Sequence, residues 1–205
     1  MKFILFVEGY TEEKVLPNFI KKWLDPKLSK PVGIKTVRFE GWPELLKDAP
    51  QKARMYLNGP DKDNIIAVLS LLDLYGPSIY PDHITQSRKR YSWAKKYIEK
   101  KVNHPKFYHF FAVHEVEAWL LSQPEIFPKK IKIAFPKKIQ NPENVNFQEP
   151  PSKLLERIYS QKIHKSYKKV LNGKQLFDKL DPNIAYQKCP KLKEFFDKMF
   201  DLANA

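Results

Sequence analysis

Three acids stand directly behind apolar runs, and they are the side chains in this sequence best placed to do chemistry. Glu8 closes the run Lys2 to Val7 (KFILFV), and Asp73 closes Asn64 to Leu72 (NIIAVLSLL). Glu115, with Glu117 two residues on, follows Phe107 to Val113 (FYHFFAV). Short apolar runs of β-type residues read as buried strands, and in open parallel sheets sites form beyond the carboxyl ends of the strands. If these strands are parallel neighbours, the carboxylates converge on one rim. Like charges gathered there repel unless a cation sits between them. Oxygen-only ligands suit Mg2+ or Mn2+, and such an ion beside a basic surface equips a protein for phosphoryl transfer or phosphodiester hydrolysis. The competing reading is structural, because an acid behind a strand often caps the next helix. Thr11 is better placed for that job than Glu8, and Asp73 precedes a loop, but Glu115 could simply occupy the first turn of a helix over Val116 to Ser122.

The elements that must position these acids follow from periodicity. Glu8-Gly9-Tyr10 reads as a turn and Thr11 as the N-cap of a helix to Leu24, with Val15, Leu16, Phe19, Ile20, Trp23 and Leu24 at helical spacing. Pro17 conflicts with that pattern and predicts a kink or a later start. Gly33 to Phe39 reads as a second strand, and Pro43 to Leu57 as a helix interrupted by Pro50. Asn64 to Leu72 is apolar on both faces, as a central strand of a parallel sheet must be. Thr85 to Val102 has the pattern of a long basic amphipathic helix. This alternation predicts an α/β fold with a mostly parallel sheet flanked by helices. Beyond Pro124 no strong strand pattern occurs; Gln140 to Pro151 reads as a loop, and Ser152 to Gln161, Lys174 to Leu180 and Lys191 to Ala203 read as helices. The expected division is an α/β domain over residues 1–124 and a basic, mainly helical extension over 125–205, packed on the same core.

The charge balance points to a polyanionic partner. Lys plus Arg number 37 against 23 acids, a net charge of +14, and such a field attracts phosphates. The excess is concentrated at Arg88, Lys89, Arg90, Lys95 and Lys96, at Lys129, Lys130, Lys132, Lys137 and Lys138, and at Lys162, Lys165, Lys168 and Lys169. Tyr91, Trp93, Tyr97, Phe135, Tyr159 and Tyr167 are interleaved with them, a mixture that suits stacking on bases and pairing with phosphates; solvated helix faces would look similar. The single cysteine, Cys189, excludes an intramolecular disulfide and a multi-cysteine zinc site. Apolar runs are too short to span a membrane or to form a signal peptide, so a soluble, cytoplasmic protein is expected. The lack of a Walker loop, a dinucleotide glycine pattern or a nucleophile elbow argues against a nucleotide-cofactor enzyme or a serine hydrolase. His114-Glu115 begins like a zincin helix, but Ala118 stands where the second His belongs; a supporting polar role near the acids remains for His114. Trp119 and Cys189 read as core residues.

The opening Ile4 to Glu13 (ILFVEGYTEE) resembles the first motif of the Toprim fold, the metal-binding domain of topoisomerases, primases and overcoming-lysogenization-defect nucleases. Leu69 to Gly76 (LSLLDLYG) resembles its second motif, Asp-x-Asp. The ordered set Val7-Glu8-Gly9, Thr11-Glu12-Glu13, Asp73-Leu74-Tyr75-Gly76, His114 to Trp119, Pro151-Ser152-Lys153 and Lys188-Cys189-Pro190 resembles more closely the Toprim-like domain-of-unknown-function family 4276. The resemblance implies a Mg2+- or Mn2+-dependent nuclease, or a related phosphodiester or phosphoryl-transfer enzyme, acting on DNA or RNA in phage defence or DNA repair. It implies Glu8 as general acid/base or metal ligand and Asp73 as metal ligand. Tyr75 departs from the pattern, standing at the second aspartate, and Glu115 or Glu117 could supply the missing oxygen. Arg88, Lys89, Arg90, Lys129, Lys130, Lys165 and Lys168 would track the nucleic-acid backbone. Ser152 and Lys153 would contact a phosphate or merely start a helix behind Pro151. The alternative is a non-catalytic nucleic-acid- or protein-binding module on a degenerate Toprim scaffold, working with a separate ATPase chain; Tyr75 favours it.

Overall fold

Strands β1 (Lys2–Val7), β2 (Gly33–Arg38), β3 (Ile65–Asp73) and β4 (Phe107–Ala112) pair in parallel in the order β2-β1-β3-β4, so all four carboxyl ends share one rim. The computed structural model describes residues 1–135, 139–144 and 149–205; Lys137 and Lys138 of the basic clusters, and part of the expected loop over 140–151, lie outside the described residues. The two interior strands are buried on both faces. Phe3, Leu5, Val7, Leu69 and Leu71 enter one core and Ile4, Phe6, Val68 and Leu72 the other. The alternation of strand and helix thus gives the expected α/β architecture, with helices on both sides of the sheet.

Helix α1 (Tyr10–Leu24) packs on the first face, and α2 (Trp42–Leu57) and α3 (Ser87–Val102) cover the second. The N-cap of α1 is Gly9, not Thr11, which is drawn into the first turn and buried. Pro17 neither delays nor ends α1, and Pro50 does not interrupt α2. Each ring forfeits one intrahelical hydrogen bond, but Val15, Leu16, Phe19 and Ile20 in α1 and Leu45, Leu46, Ala49 and Ala53 in α2 are buried around it, and packing outweighs propensity.

Among the described residues, α4 (Glu117–Leu120), α5 (Lys129–Lys132), α6 (Pro151–Ile163), α7 (Lys169–Lys179), α8 (Pro182–Lys188) and α9 (Pro190–Asn204) follow. Their apolar side chains join the first core. Trp119 stacks on Phe19 at 6.0 Å between ring centroids, and Phe177 meets the same ring edge-on at 5.4 Å. Cys189 is buried there as well, and burial pushes its thiol pKa up, away from reactivity. Helix α7 begins five residues before the sequence pattern suggests. Val170 and Leu171 in its first turn are exposed and carry no apolar periodicity, and the start is fixed instead by Asn172, whose Oδ1 accepts the Lys168 N–H at 2.7 Å.

The edge strand β4 is capped at its middle by side chains. Lys95 and Glu99, one turn apart on α3, pair at 2.9 Å. Glu99 Oε1 accepts the His109 N–H at 2.9 Å, while the Lys95 ammonium donates to the His109 carbonyl. The His109 ring is fully buried against Phe111, and burial, with Lys95 nearby, holds it neutral.

Because Phe196 of α9 touches Phe19 and Trp23 of α1, Phe196→Ala is expected to cost about 3–5 kcal/mol and to lower one shared unfolding transition. Far-UV circular dichroism and tryptophan fluorescence should report the same urea midpoint; separate midpoints would show that the C-terminal helices unfold independently.

Candidate active site

Glu8 is the first residue beyond β1. Burial raises its carboxyl pKa, and the backbone N–H groups of Asp73 and Trp42 partly offset this. Gly9 leaves room for Glu12: a Cβ there would lie 2.8 Å from Glu12 Oε2, so the Glu12 carboxylate can fold back over the start of α1. Asp73 ends β3 on the same face as Leu69 and Leu71, and its Oδ1 accepts the Val116 N–H at 3.2 Å, which ties the turn after β4 to the rim. Glu117, the first residue of α4, is fully buried, and neither of its oxygens accepts a hydrogen bond.

Lys169, in the first turn of α7, enters this group of acids. Its ammonium lies 3.3 Å from Glu117 Oε2 and 3.7 Å from Asp73 Oδ2. Burial alone would lower the Lys169 pKa, but Asp73, Glu117, Glu12 and Glu115 reverse the shift and keep it charged. Burial raises Asp73 well above the usual carboxylate range against the pull of Lys169, and it pushes Glu117 up to about 7. Glu8, Glu12, Asp73 and Lys169, with Tyr10 and Val170, line an open cleft of about 340 Å³.

The rim therefore brings together Glu8, Asp73 and Glu117. Glu115 points its carboxylate elsewhere: its two oxygens accept the Ser152 N–H at 2.9 Å and the Ser152 hydroxyl at 3.0 Å, starting α6. Lys153 is exposed and pairs with Glu156 at 2.7 Å. Arg88, Lys89, Lys129, Lys130 and Lys168 are exposed. Arg90 is engaged within the fold, donating to the Ile84 carbonyl at 2.9 Å and lying over the Tyr80 ring. Lys165 borders a separate cleft between α6 and α7. Tyr75 is exposed. Sequence reasoning missed the roles of Glu12 and Lys169. Glu12 lies one helical turn beyond Glu8, a spacing that could have flagged it; Lys169 was hidden inside a run of surface lysines.

Glu8 Oε2 and both Glu117 oxygens are buried and accept no hydrogen bond. Hard, orphaned carboxylate oxygens are the donors that Mg2+ or Mn2+ takes. Yet no three acid, histidine or cysteine groups among the described residues stand in ligating positions, and the Lys169 ammonium supplies the positive charge that the acids require.

Residues 7–199 match the family model described as a domain of unknown function, DUF4276. The chain belongs to that family. No curated protein matches the sequence. Among solved structures, the C-terminal region of the Burkholderia pseudomallei OLD protein is similar at 18% identity, with 98% of each chain covered and a TM-score of 0.48. No helix among the described residues of this DUF4276 member is long and apolar enough to cross a membrane.

The raised pKa of Glu117 fixes the sign of a pH effect. Its contribution to stability is complete below the unfolded carboxyl value and is lost as pH rises through about 7. In chelator, Glu117→Gln is expected to stabilise the protein by about 1–3 kcal/mol near pH 8, with the gain shrinking as pH falls towards about 4.5. Urea melts across that range check the direction.

Proposed function

We propose that this protein is a divalent-metal-dependent enzyme of Toprim type that cleaves phosphodiester bonds in nucleic acid. The observation that carries this reading is the convergence of Glu8, Asp73 and Glu117 at the carboxyl rim of a parallel sheet, with the Lys169 ammonium among them. Glu8, Asp73 and Glu117 do not stand in ligating positions with Lys169 among them; to hold Mg2+ or Mn2+, which supplies a Lewis acid and an activated water when bound, they would have to draw together as Lys169 withdraws. Glu8, whose pKa burial has raised, is suited to take the proton from an attacking water. Lys169 is suited to neutralise charge developing on a phosphoryl or leaving oxygen. The basic residues at the start of α3 lie at the same end of the sheet, because α3 leads back into a strand parallel to β3; Arg88 and Lys89 are exposed there to receive a backbone.

A second reading is a nucleic-acid- or protein-binding module without catalysis, working with a separate ATPase chain. Two observations favour it: Tyr75 stands at the second aspartate of the motif, and Lys169 already neutralises the acids without a metal.

The two readings separate in one set of experiments. Purified protein is expected to cleave labelled DNA or RNA with Mg2+ or Mn2+ and not in chelator. Glu8→Gln and Asp73→Asn should each reduce that cleavage by about two orders of magnitude or more, with thermal midpoints no lower than wild type. Calorimetric titration should show Mn2+ binding that both substitutions weaken. Absence of cleavage and of metal binding in the wild type leaves the binding module.

A further inference from the structure

The exposed face of α3 carries a second feature beyond its charge. Trp93 and Tyr97, one turn apart, stack with ring planes 8° apart and centroids 5.1 Å apart. Tyr97 is exposed and Trp93 half-buried, so the pair forms a flat aromatic platform at the surface. Lys89 and Lys96 lie four residues before and three after Trp93, and therefore share its helix face. Arg88, Lys89, Trp93 and Lys96 line an open groove of about 690 Å³, together with His83 and Gln86 from the preceding loop. Arg88 also borders a smaller recess of about 220 Å³ at the sheet rim, walled by Leu74, Tyr91, Val113 and Pro190 and edged by the polar side chains of Asn141, Glu143, Asn144 and Lys191. That volume falls below the range of about 300–1,000 Å³ typical of drug-sized ligands and suits a single flat ring.

Resting on the nuclease reading, we infer that α3 selects single-stranded nucleic acid, with a base stacked on the Trp93–Tyr97 platform and the phosphates held by Arg88, Lys89 and Lys96. The chemistry discriminates between strands. In a duplex the flat faces of the bases are buried in the stack, so a duplex offers this platform only backbone charge. An unpaired strand offers both charge and free base faces, and its bases can turn into a recess that a paired base cannot enter. The acids' cleft and this groove share no lining residue. Strand selection is therefore separable from the reaction.

The test is binding in chelator, where no metal-dependent cleavage occurs. Fluorescence anisotropy is measured with a labelled strand of about twelve nucleotides, alone and annealed to its complement. The single strand is expected to bind about tenfold or more tighter than the duplex. Trp93→Ala should weaken single-strand binding by about tenfold while leaving duplex binding unchanged; Trp93 also packs on the second core, so the thermal midpoint is expected to fall and binding is compared well below it. Arg88→Ala should reduce the slope of log K on log salt by about 0.7 for the single strand. Equal affinity for strand and duplex, no binding to either, or an unaffected Trp93→Ala protein would overturn the inference. Cleavage with Mg2+ by a protein that shows no strand preference refutes this inference and leaves the nuclease reading standing. Strand-selective binding without cleavage does the reverse.

Discussion

One ammonium group makes a crowd of buried carboxylates tolerable. Asp73 and Glu117 both reach Lys169, and Glu8 and Glu12 feel its charge. For Asp73 and Glu117, leaving water is unfavourable and neighbours of the same sign add to that cost. Removing Lys169 would be the costly change, because it leaves Asp73 and Glu117 buried without their counter-charge. The C-terminal helices are thus part of the rim itself, since they deliver the counter-charge. That delivery requires α7 to lie close against α1, where Phe177 of α7 meets Phe19 of α1 edge-on. The bond between Glu115 and Ser152 anchors α6 to the end of β4 in the same way.

An ammonium and a divalent cation answer the same electrostatic need. In the metal-dependent reading, an incoming ion would have to share the acids with Lys169 or displace it. Glu8 Oε2 and Glu117 Oε1, which accept no hydrogen bond and are not the atoms that Lys169 reaches, mark where that need is least met. The arrangement stores unfavourable electrostatics at the rim, and the rest of the fold sustains it through two large apolar cores on either side of the sheet.

Much of this was legible in the sequence, for physical reasons. β1 and β3 are interior strands, so their apolar residues run without a break, and the acids that close those runs had to fall on the rim. Glu8 and Asp73 could therefore be placed from local pattern. Glu117 could be named but not separated from Glu115, because only the packing of α6 decides which carboxylate is taken up by a helix start. Lys169 was beyond reach: nothing in a run of lysines marks the one that turns inward, and its partners lie far away in the chain. The proline conflicts in α1 and α2 misled in the opposite direction, since local propensity yields once a helix face is buried. The short α5 and the seven-residue α8 carry too few periodic positions to stand out.

The side-chain clamp on β4 has a consequence for assembly. A sheet grows from one molecule into the next only where an edge presents free amides and carbonyls. At His109 both outward groups of β4 are already taken by α3. A strand added at this margin would therefore have to do without a hydrogen-bonded pair at the middle of β4, whereas the opposite margin is formed by β2.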